Sequence, residues 1–503
     1  MKWLKTNLWF FIVIFLCGLV LWPLLRDGFF VSDDGDWMII RFSAFFQSFR
    51  EGQFPVRYLG RLNYEYGYPV SNFLYPGFLY LGSFIRALGV SFVDTVKIIF
   101  AGSVIGAGWF IFLWLRRWFR PLSSIIGTAA FVFSPYLLFD LYKRGSVGEI
   151  LAFFPAAMGL FAIEKKQRLL LGLSVALLVV SHNTLAMLFL AVFLIRIFWL
   201  RAYELLLPIV FGAGMSGFFW LPALFERQFV LFDSVVVANP HAYFVESGML
   251  LGISALIAFI LALIVKSKVS LSDRRFITVL FIVSTLLATP LASNIWNIEI
   301  LAKIVQFPYR FLSLSVVFGA WLVSYVFEHI SKWRWQCTVL FGLFWIMSLV
   351  STFNSIVVTN KPEGFYTTNE GTTTVANEYM PIWVSEPPTE RPGAKFEVVA
   401  GDATVTPIAM TTQKFIADIE AQDVSTIQMN ALYYPGWGVT VNGIRVPVLF
   451  DNPKGVMQVE VPAGTHQLVA EFRETPARFA ADIVSVVSCI LLIVILRYTG
   501  GKI

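Results

Sequence analysis

Apolar runs long enough to cross a lipid bilayer recur along the chain, and that recurrence leaves few folds open. A membrane-crossing helix takes about 20 mostly apolar residues. Runs near that length occupy 8–25, 95–115, 121–139, 147–163, 168–181, 184–200, 202–222, 248–265, 276–293, 308–328, 335–355 and 480–497. In lipid each segment must satisfy its own backbone polar groups, so these runs are expected as helices. Composition agrees: 57% of residues are hydrophobic and 14% charged, against about 25% charged in soluble domains. The three cysteines, Cys17, Cys337 and Cys489, fall inside apolar runs, so neither a disulfide framework nor a thiolate metal site is expected. No small-residue cleavage site follows the first run; Arg26-Asp27-Gly28 does, and the run is read as a retained span.

Charge sets the topology. The clusters Arg116/Arg117/Arg120, Lys165/Lys166/Arg168, Arg196/Arg201, Lys266/Lys268/Arg274/Arg275 and Lys332/Arg334 separate the runs. One further run, 71–89, could cross or not. If it crosses, every cluster lies outside, against the positive-inside rule. It is therefore read as an interfacial helix or re-entrant segment, leaving about 12 spans with both termini cytoplasmic. The net charge of +6 then reads as topology signal, not as a nucleic-acid surface. The expected fold is a polytopic α-helical protein of the cytoplasmic (plasma) membrane, with three parts. Residues 1–355 form the transmembrane domain and include an outer loop, 26–94. Residues 356–479 form an extracytoplasmic β-rich domain, and 480–503 the final helix and a cytoplasmic tail.

The β assignment rests on alternation and Gly/Pro punctuation. Strands are expected at 395–400, 403–410, 415–420, 425–432, 438–441, 456–461 and 467–472, as a small sandwich or jelly roll.

Polar groups interrupt the apolar pattern on the outer side. The loop after the first span carries Asp33, Asp34 and Asp36, then Arg41, Arg50, Arg57 and Arg61 interleaved with Tyr58, Tyr64, Tyr66 and Tyr68. An acidic solvated loop explains the carboxylates; so does a general base for a hydroxyl, or a ligand for a divalent metal. Arginine forks bind phosphate and aromatic rings stack on sugars, so the mixture suits a sugar-phosphate headgroup. Lys143 and Arg144 lie in an outer loop against the topology bias, which points to a role. Glu149 is a helix-start acid or a site residue. His182 and Asn183 sit between two apolar runs, where a packed histidine is the commoner case. Gln306 precedes Phe307-Pro308-Tyr309-Arg310, an arginine at a span's outer end that either snorkels or binds an anion. Glu226 and Arg227 read as a surface pair. No P-loop, G-x-S-x-G, H-E-x-x-H or C-x-x-C motif is present, and the scattered His182, His241, His329 and His466 make a three-His zinc site implausible.

The segments DDGDWMIIRF, FREGQFPVRYLGRLNYEYGYPVSNFLYP, DLYKRGSVGE, SHN, QFPYRFLSLS, YYPGWGVTVNG and VPAGTHQLVAEF resemble a branch of the GT-C superfamily of membrane glycosyltransferases. That branch carries the label of membrane proteins related to 6-pyruvoyl-tetrahydropterin synthase, a chemistry these residues do not support. The resemblance runs from about residue 26 to 480. It implies a polyprenyl-phosphate-linked sugar as donor and a catalytic aspartate in the first outer loop: Asp34 by matching position, Asp33 as fallback. The chain departs from the family at Met38, where a histidine is common. The expected function is an inverting glycosyltransferase moving a sugar to a cell-envelope glycan, lipid or protein acceptor on the outer face. Arg144, Arg310 and Lys143 would hold the donor phosphate; Glu149, His182, Asn183, Arg41, Tyr68 and Gln306 are further candidates. Mg or Mn is left open as a cofactor, and no nucleic acid is expected. The rival readings are a transporter or flippase of lipid-linked glycans and a non-catalytic membrane protein that binds envelope polymer.

Overall fold

The computed structural model describes residues 2–233, 239–244, 250–265, 269–330 and 333–498. Among these, seven helices are long and apolar enough to cross a membrane: Leu8–Leu25, Phe92–Leu115, Val147–Lys165, Asn183–Leu200, Pro308–His329, Arg334–Ser355 and Pro476–Val494. The number rises to ten if each of three bent pairs is one span, and two shorter apolar helices, Arg168–Ser181 and Ile253–Ile264, lie beside them. The chain is built as a multi-pass membrane protein.

The bent pairs correct three spans that the sequence suggested were continuous. Within 121–139 the helix stops at Val132 and resumes at Pro135, bent by 44°. Proline has no N–H to continue the ladder, and the Ser134 hydroxyl accepts from the Leu137 N–H at 3.4 Å to start the new turn. Within 202–222 the bend is 67°, where Leu206–Met215 meets Gly217–Glu226 across Ser216-Gly217, a pair that commonly kinks helices. Within 276–293 it is 81°, at Thr289-Pro290. The 71–89 run contains one 11-residue helix, Gly77–Ala87. At 1.5 Å per residue it reaches about 16 Å, roughly half the hydrocarbon thickness.

Ion pairs mark the two ends of the bundle. At one end Arg196 bonds Glu164 at 2.7 Å and Asp273 at 2.7 Å, Lys166 bonds Glu204 at 2.8 Å, and Arg120 meets Glu328 at 3.5 Å. The basic clusters around these residues thus gather together. Lys266, Lys268 and Lys332, assigned to the same side, lie outside the described residues. Glu149 lies in the same helix as Glu164, 15 residues or about 22 Å away, and marks the opposite end.

At the Glu149 end the strands gather. β1 (Phe29–Phe30) pairs antiparallel with β2 (Val358–Thr359), tying the first loop to the segment after the Arg334–Ser355 helix. Eight more strands follow: β3 (Phe396–Ala400), β4 (Ala403–Met410), β5 (Lys414–Ala421), β6 (Ser425–Leu432), β7 (Trp437–Val441), β8 (Ile444–Val446), β9 (Val456–Val461) and β10 (Gly464–Phe472). They form a five-stranded sheet, β4-β5-β10-β7-β8, and a three-stranded sheet, β3-β6-β9, with antiparallel pairings. Ile419, Val439 and Leu468 of the first sheet share a core with Ile427, Met429 and Val459 of the second. Tyr58 from the first loop enters that core and donates to the Tyr66 carbonyl at 2.8 Å and the Leu432 carbonyl at 3.0 Å. Glu226 and Arg227, expected as a surface pair, are corrected here. The Glu226 carboxylate is 1% exposed and takes a two-point fork from the fully buried Arg478, both contacts at 2.7 Å. Asn72 at 2.8 Å and Tyr434 at 2.9 Å complete its shell, because a buried carboxylate without partners would be too costly to keep.

Candidate active site

The broken helix of 121–139 builds the site. After the short turn Pro135–Leu138 the chain winds as a π-helical turn, Phe139–Arg144, a form found disproportionately at functional sites. It ends on Gly145, whose φ of 65° is left-handed, and the helix Val147–Lys165 begins beyond it. The first outer loop is clipped to this turn through its backbone. The Asp33 N–H donates to the Lys143 carbonyl at 3.0 Å and the Asp34 N–H to the Arg144 carbonyl at 2.9 Å. A Cβ on Gly145 would lie 2.5 Å from Ser32 Oγ and 3.2 Å from Gly35 Cα, so only glycine lets the two loops approach this closely.

The clip brings Asp34, at the start of the helix Gly35–Arg50, beside Arg144: Asp34 Oδ2 lies 3.2 Å from Arg144 Nη2. Arg144 Nη1 bonds Asp140 Oδ1 at 3.1 Å and also Glu149 Oε1. Glu149 Oε1 in addition receives Arg310 Nε at 2.9 Å and faces His182 Nε2 at 3.6 Å, while Tyr136 donates to Oε2 at 3.2 Å. Glu149 is wholly buried; Arg144 and Arg310 side chains are each 7% exposed. Charges this dry persist only when paired and multiply hydrogen-bonded, and these are. Rings complete the seat. Arg310 lies 5.0 Å over Phe307, and Arg144 lies 5.9 Å over Phe307 and 5.5 Å over Tyr309, contacts that favour a guanidinium further.

Gln306 holds Arg310 from behind. Its backbone (φ 66°, ψ −52°), with the Phe307 N–H on the Val305 carbonyl at 2.8 Å, makes a γ-turn of the rare, strained kind. Its side-chain oxygen accepts from Arg310 Nη1 at 2.8 Å, and the Val305 carbonyl accepts from the same nitrogen at 2.9 Å. Among the described residues, Arg310 Nη2 and Asp34 Oδ1 have no hydrogen-bond partner, and the Asp34 side chain is 32% exposed. A carboxylate oxygen and a guanidinium nitrogen thus remain free at the accessible side of the cluster, while Asp140 Oδ2 is unpartnered but buried.

The structure therefore brings together Asp34, Arg144, Glu149, His182, Gln306 and Arg310 of the expected set. Lys143 stays at the rim, exposed, on Asp33 at 2.9 Å. His182 caps the following helix, its Nδ1 accepting from the Leu185 N–H at 3.3 Å, so its Nε2 carries the hydrogen that faces Glu149. Asn183 is exposed and outside the ion-pair cluster. Arg41 is buried on Thr373, with Nε–Oγ1 at 2.9 Å, and Tyr68 is buried, accepting from the Tyr379 N–H at 3.1 Å; both brace the first loop against the chain near 373–379. Asp140, Tyr136 and Thr184, whose hydroxyl oxygen accepts from Arg310 Nη1 at 3.5 Å, were missed. Asp140 was legible, since an acid four residues before an arginine in an apolar stretch is a partner in waiting. Tyr136 gave no such signal.

Two neighbours outside the spanning segments are held neutral. Burial, then the negative charges of Asp34 and Glu149, pushes the Tyr75 phenol up; its ring lies 4.9 Å from that of His182. Burial and Asp36 likewise raise Tyr366, which donates to Asp36 at 3.2 Å. Among the described residues no group of three or more His, Cys, Asp or Glu is arranged to hold a metal ion. Asp34, Asp140 and Glu149 instead converge on one guanidinium, that of Arg144.

No family model matches the chain, and no curated protein does. Among solved structures it is similar to the arabinofuranosyltransferase AftD from Mycobacteria, with a TM-score of 0.47 and 16% identity over 69% of this chain and 26% of that one. It is also similar to the Archaeoglobus fulgidus oligosaccharyltransferase in its apo form, with a TM-score of 0.42 and 12% identity over 73% of this chain and 57% of that one. The chain thus spans about a quarter of the first and somewhat over half of the second.

Proposed function

We propose that this chain is a membrane glycosyltransferase that moves a sugar from a polyprenyl-phosphate donor to an envelope glycan, lipid or protein acceptor outside the cytoplasmic membrane. The observation that carries the reading is one ion-pair cluster, at one end of an apolar helical bundle, that leaves both a carboxylate oxygen, Asp34 Oδ1, and a guanidinium nitrogen, Arg310 Nη2, without a hydrogen-bond partner among the described residues. Asp34 takes the proton of the acceptor hydroxyl as that oxygen attacks the anomeric carbon. The bond from the anomeric carbon to the phosphate oxygen breaks, and its electron pair stays on the leaving polyprenyl phosphate. Arg310 and Arg144 stabilise the charge that develops there, in a site dry enough for the interaction to be strong. Direct displacement of this kind inverts the anomeric centre.

Glu149 has a supporting part. By holding both arginines on one oxygen it fixes their spacing before the donor arrives, as preorganised stabilisation requires. The flippase reading draws less support, because a headgroup passing through would have to move arginines pinned by buried carboxylates. Equilibrium binding of a radiolabelled polyprenyl-phosphate sugar tests the donor half. Arg310→Lys keeps the charge and loses the fork, so it should weaken binding at least tenfold, while Asp34→Asn should bind within about threefold of wild type. Undiminished binding by Arg310→Lys would remove Arg310 from the donor site.

A further inference from the structure

Behind the catalytic loop lies a cavity of about 270 Å³, lined by Asp27, Gly28, Phe29, Phe92, Asn360 and Lys361, among others. It exists because β1 and β2 pair: Phe29 lies opposite Thr359, which sets residues 27–28 alongside 360–361. Gly28 makes the approach feasible. Its φ is 83°, and a Cβ there would fall 2.4 Å from the Thr359 carbonyl oxygen.

The cavity touches the catalytic loop in two places. The Phe29 ring in its wall packs on Gly35, the residue after Asp34; a Cβ on Gly35 would lie 2.5 Å from Phe29 Cε1. Lys361 and Tyr366, also in the lining, both bond Asp36, at 2.5 Å and 3.2 Å.

Its chemistry selects among ligands. Ligand pockets span about 300–1,000 Å³, so this one has room for a single small headgroup and none for a lipid tail. Charges in and against the wall are Asp27, Asp94, Glu363 and Asp36 on one side and Lys361, Arg86 and Lys97 on the other. Four carboxylates against three cations give no field that would draw a phosphate or an acidic sugar. Three of those carboxylates are engaged: Asp36 by Lys361, Glu363 by Arg86 at 2.9 Å, and Asp94 by Ser91 at 2.7 Å with Lys97 at 3.6 Å. The Asp27 carboxylate and the Asn360 amide make no side-chain hydrogen bond among the described residues. One offers acceptors and the other both donors and acceptors, the complement of vicinal hydroxyls.

We infer that this cavity binds an uncharged sugar ring of the acceptor, with Asp27 and Asn360 as the groups that read its hydroxyls. The inference rests on the glycosyltransferase reading for the word acceptor; the binding itself does not. Saturation-transfer NMR on the purified full chain tests it with four probes: methyl glycosides of neutral hexoses, methyl uronates, inorganic phosphate and ethanolamine. Neutral glycosides should give signals that the Asp27→Ala/Asn360→Ala double variant weakens at least tenfold in affinity and Arg310→Lys leaves unchanged. Both mutated residues are exposed, and thermal unfolding of the double variant should match wild type. Signals unaffected by the double variant would overturn the inference, as would stronger binding of phosphate, uronate or ethanolamine. Pocket binding that depends on Asp27 and Asn360, in a chain that transfers no sugar, would keep the cavity and remove the enzyme. Transfer with an unchanged acceptor KM in the double variant would keep the enzyme and remove the cavity.

Discussion

Replacing Gly145 by alanine should disable transfer without touching any group that does chemistry. Two costs follow from the structure. The φ of 65° is left-handed, which costs an alanine about 1–2 kcal/mol. The new methyl would also lie 2.5 Å from Ser32 Oγ and 2.9 Å from Ser32 Cβ, roughly an ångström inside ordinary contact, so the Asp33–Asp34 backbone must lift off the 143–144 carbonyls. A displacement of about 1 Å at the reacting groups costs on the order of 10²-fold in rate. The expected result is a hundredfold fall in kcat/KM for sugar transfer in proteoliposomes, with donor affinity held within a few fold because Arg310 is seated elsewhere. Ser32→Gly in the same chain removes these two atoms and leaves the backbone cost and the 3.2 Å approach to Gly35 Cα, so it should restore a measurable part of the lost rate. Full activity in Gly145→Ala, or no rescue by Ser32→Gly, would refute the argument that the clip positions Asp34.

Three further outcomes follow. Glu149→Gln leaves Arg144 and Arg310 buried beside an uncharged group, and breaking a buried pair costs about 3–5 kcal/mol; the fall should appear as lower resistance to denaturant in detergent, and near wild-type resistance would contradict the burial described here. Arg478→Lys should loosen the hold of the Pro476–Tyr498 helix on Glu226; limited proteolysis should then cut faster between 433 and 475, and an unchanged rate would show the fork to be dispensable. Cysteines placed at Ser32 and Gly401 should react with an impermeant thiol reagent in intact cells, and one at Lys166 should not; the reverse pattern would invert the orientation.

Much of the architecture was legible because its causes are local. Apolar runs and strand alternation marked most elements, and β4, β6 and β9 lie at the residues their alternation suggested. The breaks were harder. Pro135 and Pro290 were in view, but an apolar run reads as one span whether or not a proline bends it. Strand β8 was not expected: three residues make too short an alternation to notice, and the Asn442-Gly443 turn before it, with φ values of 51° and 79°, is a hairpin signal that the sequence reading did not use. For the site, the sequence marked residues with no structural excuse, and six of them meet. What it could not supply was partnership. Nothing local says that Glu226 pairs with Arg478 across 252 residues, that Arg41 serves Thr373, or that Gln306 adopts a strained turn. Those facts arise from tertiary packing alone.

The central claim, that Asp34 is the base of a sugar transfer, meets its most direct test in one assay. Wild-type and Asp34→Asn proteins in liposomes are given a radiolabelled polyprenyl-phosphate sugar and envelope extract, and the label is followed into glycosidic linkage and between leaflets. With Asp34 as the base, wild type should form a new glycosidic bond and Asp34→Asn should lose about 10²- to 10⁴-fold with donor binding retained, while Asp33→Asn loses less. Label that crosses the bilayer without entering any new bond, or an Asp34→Asn protein that transfers at the wild-type rate, would contradict it.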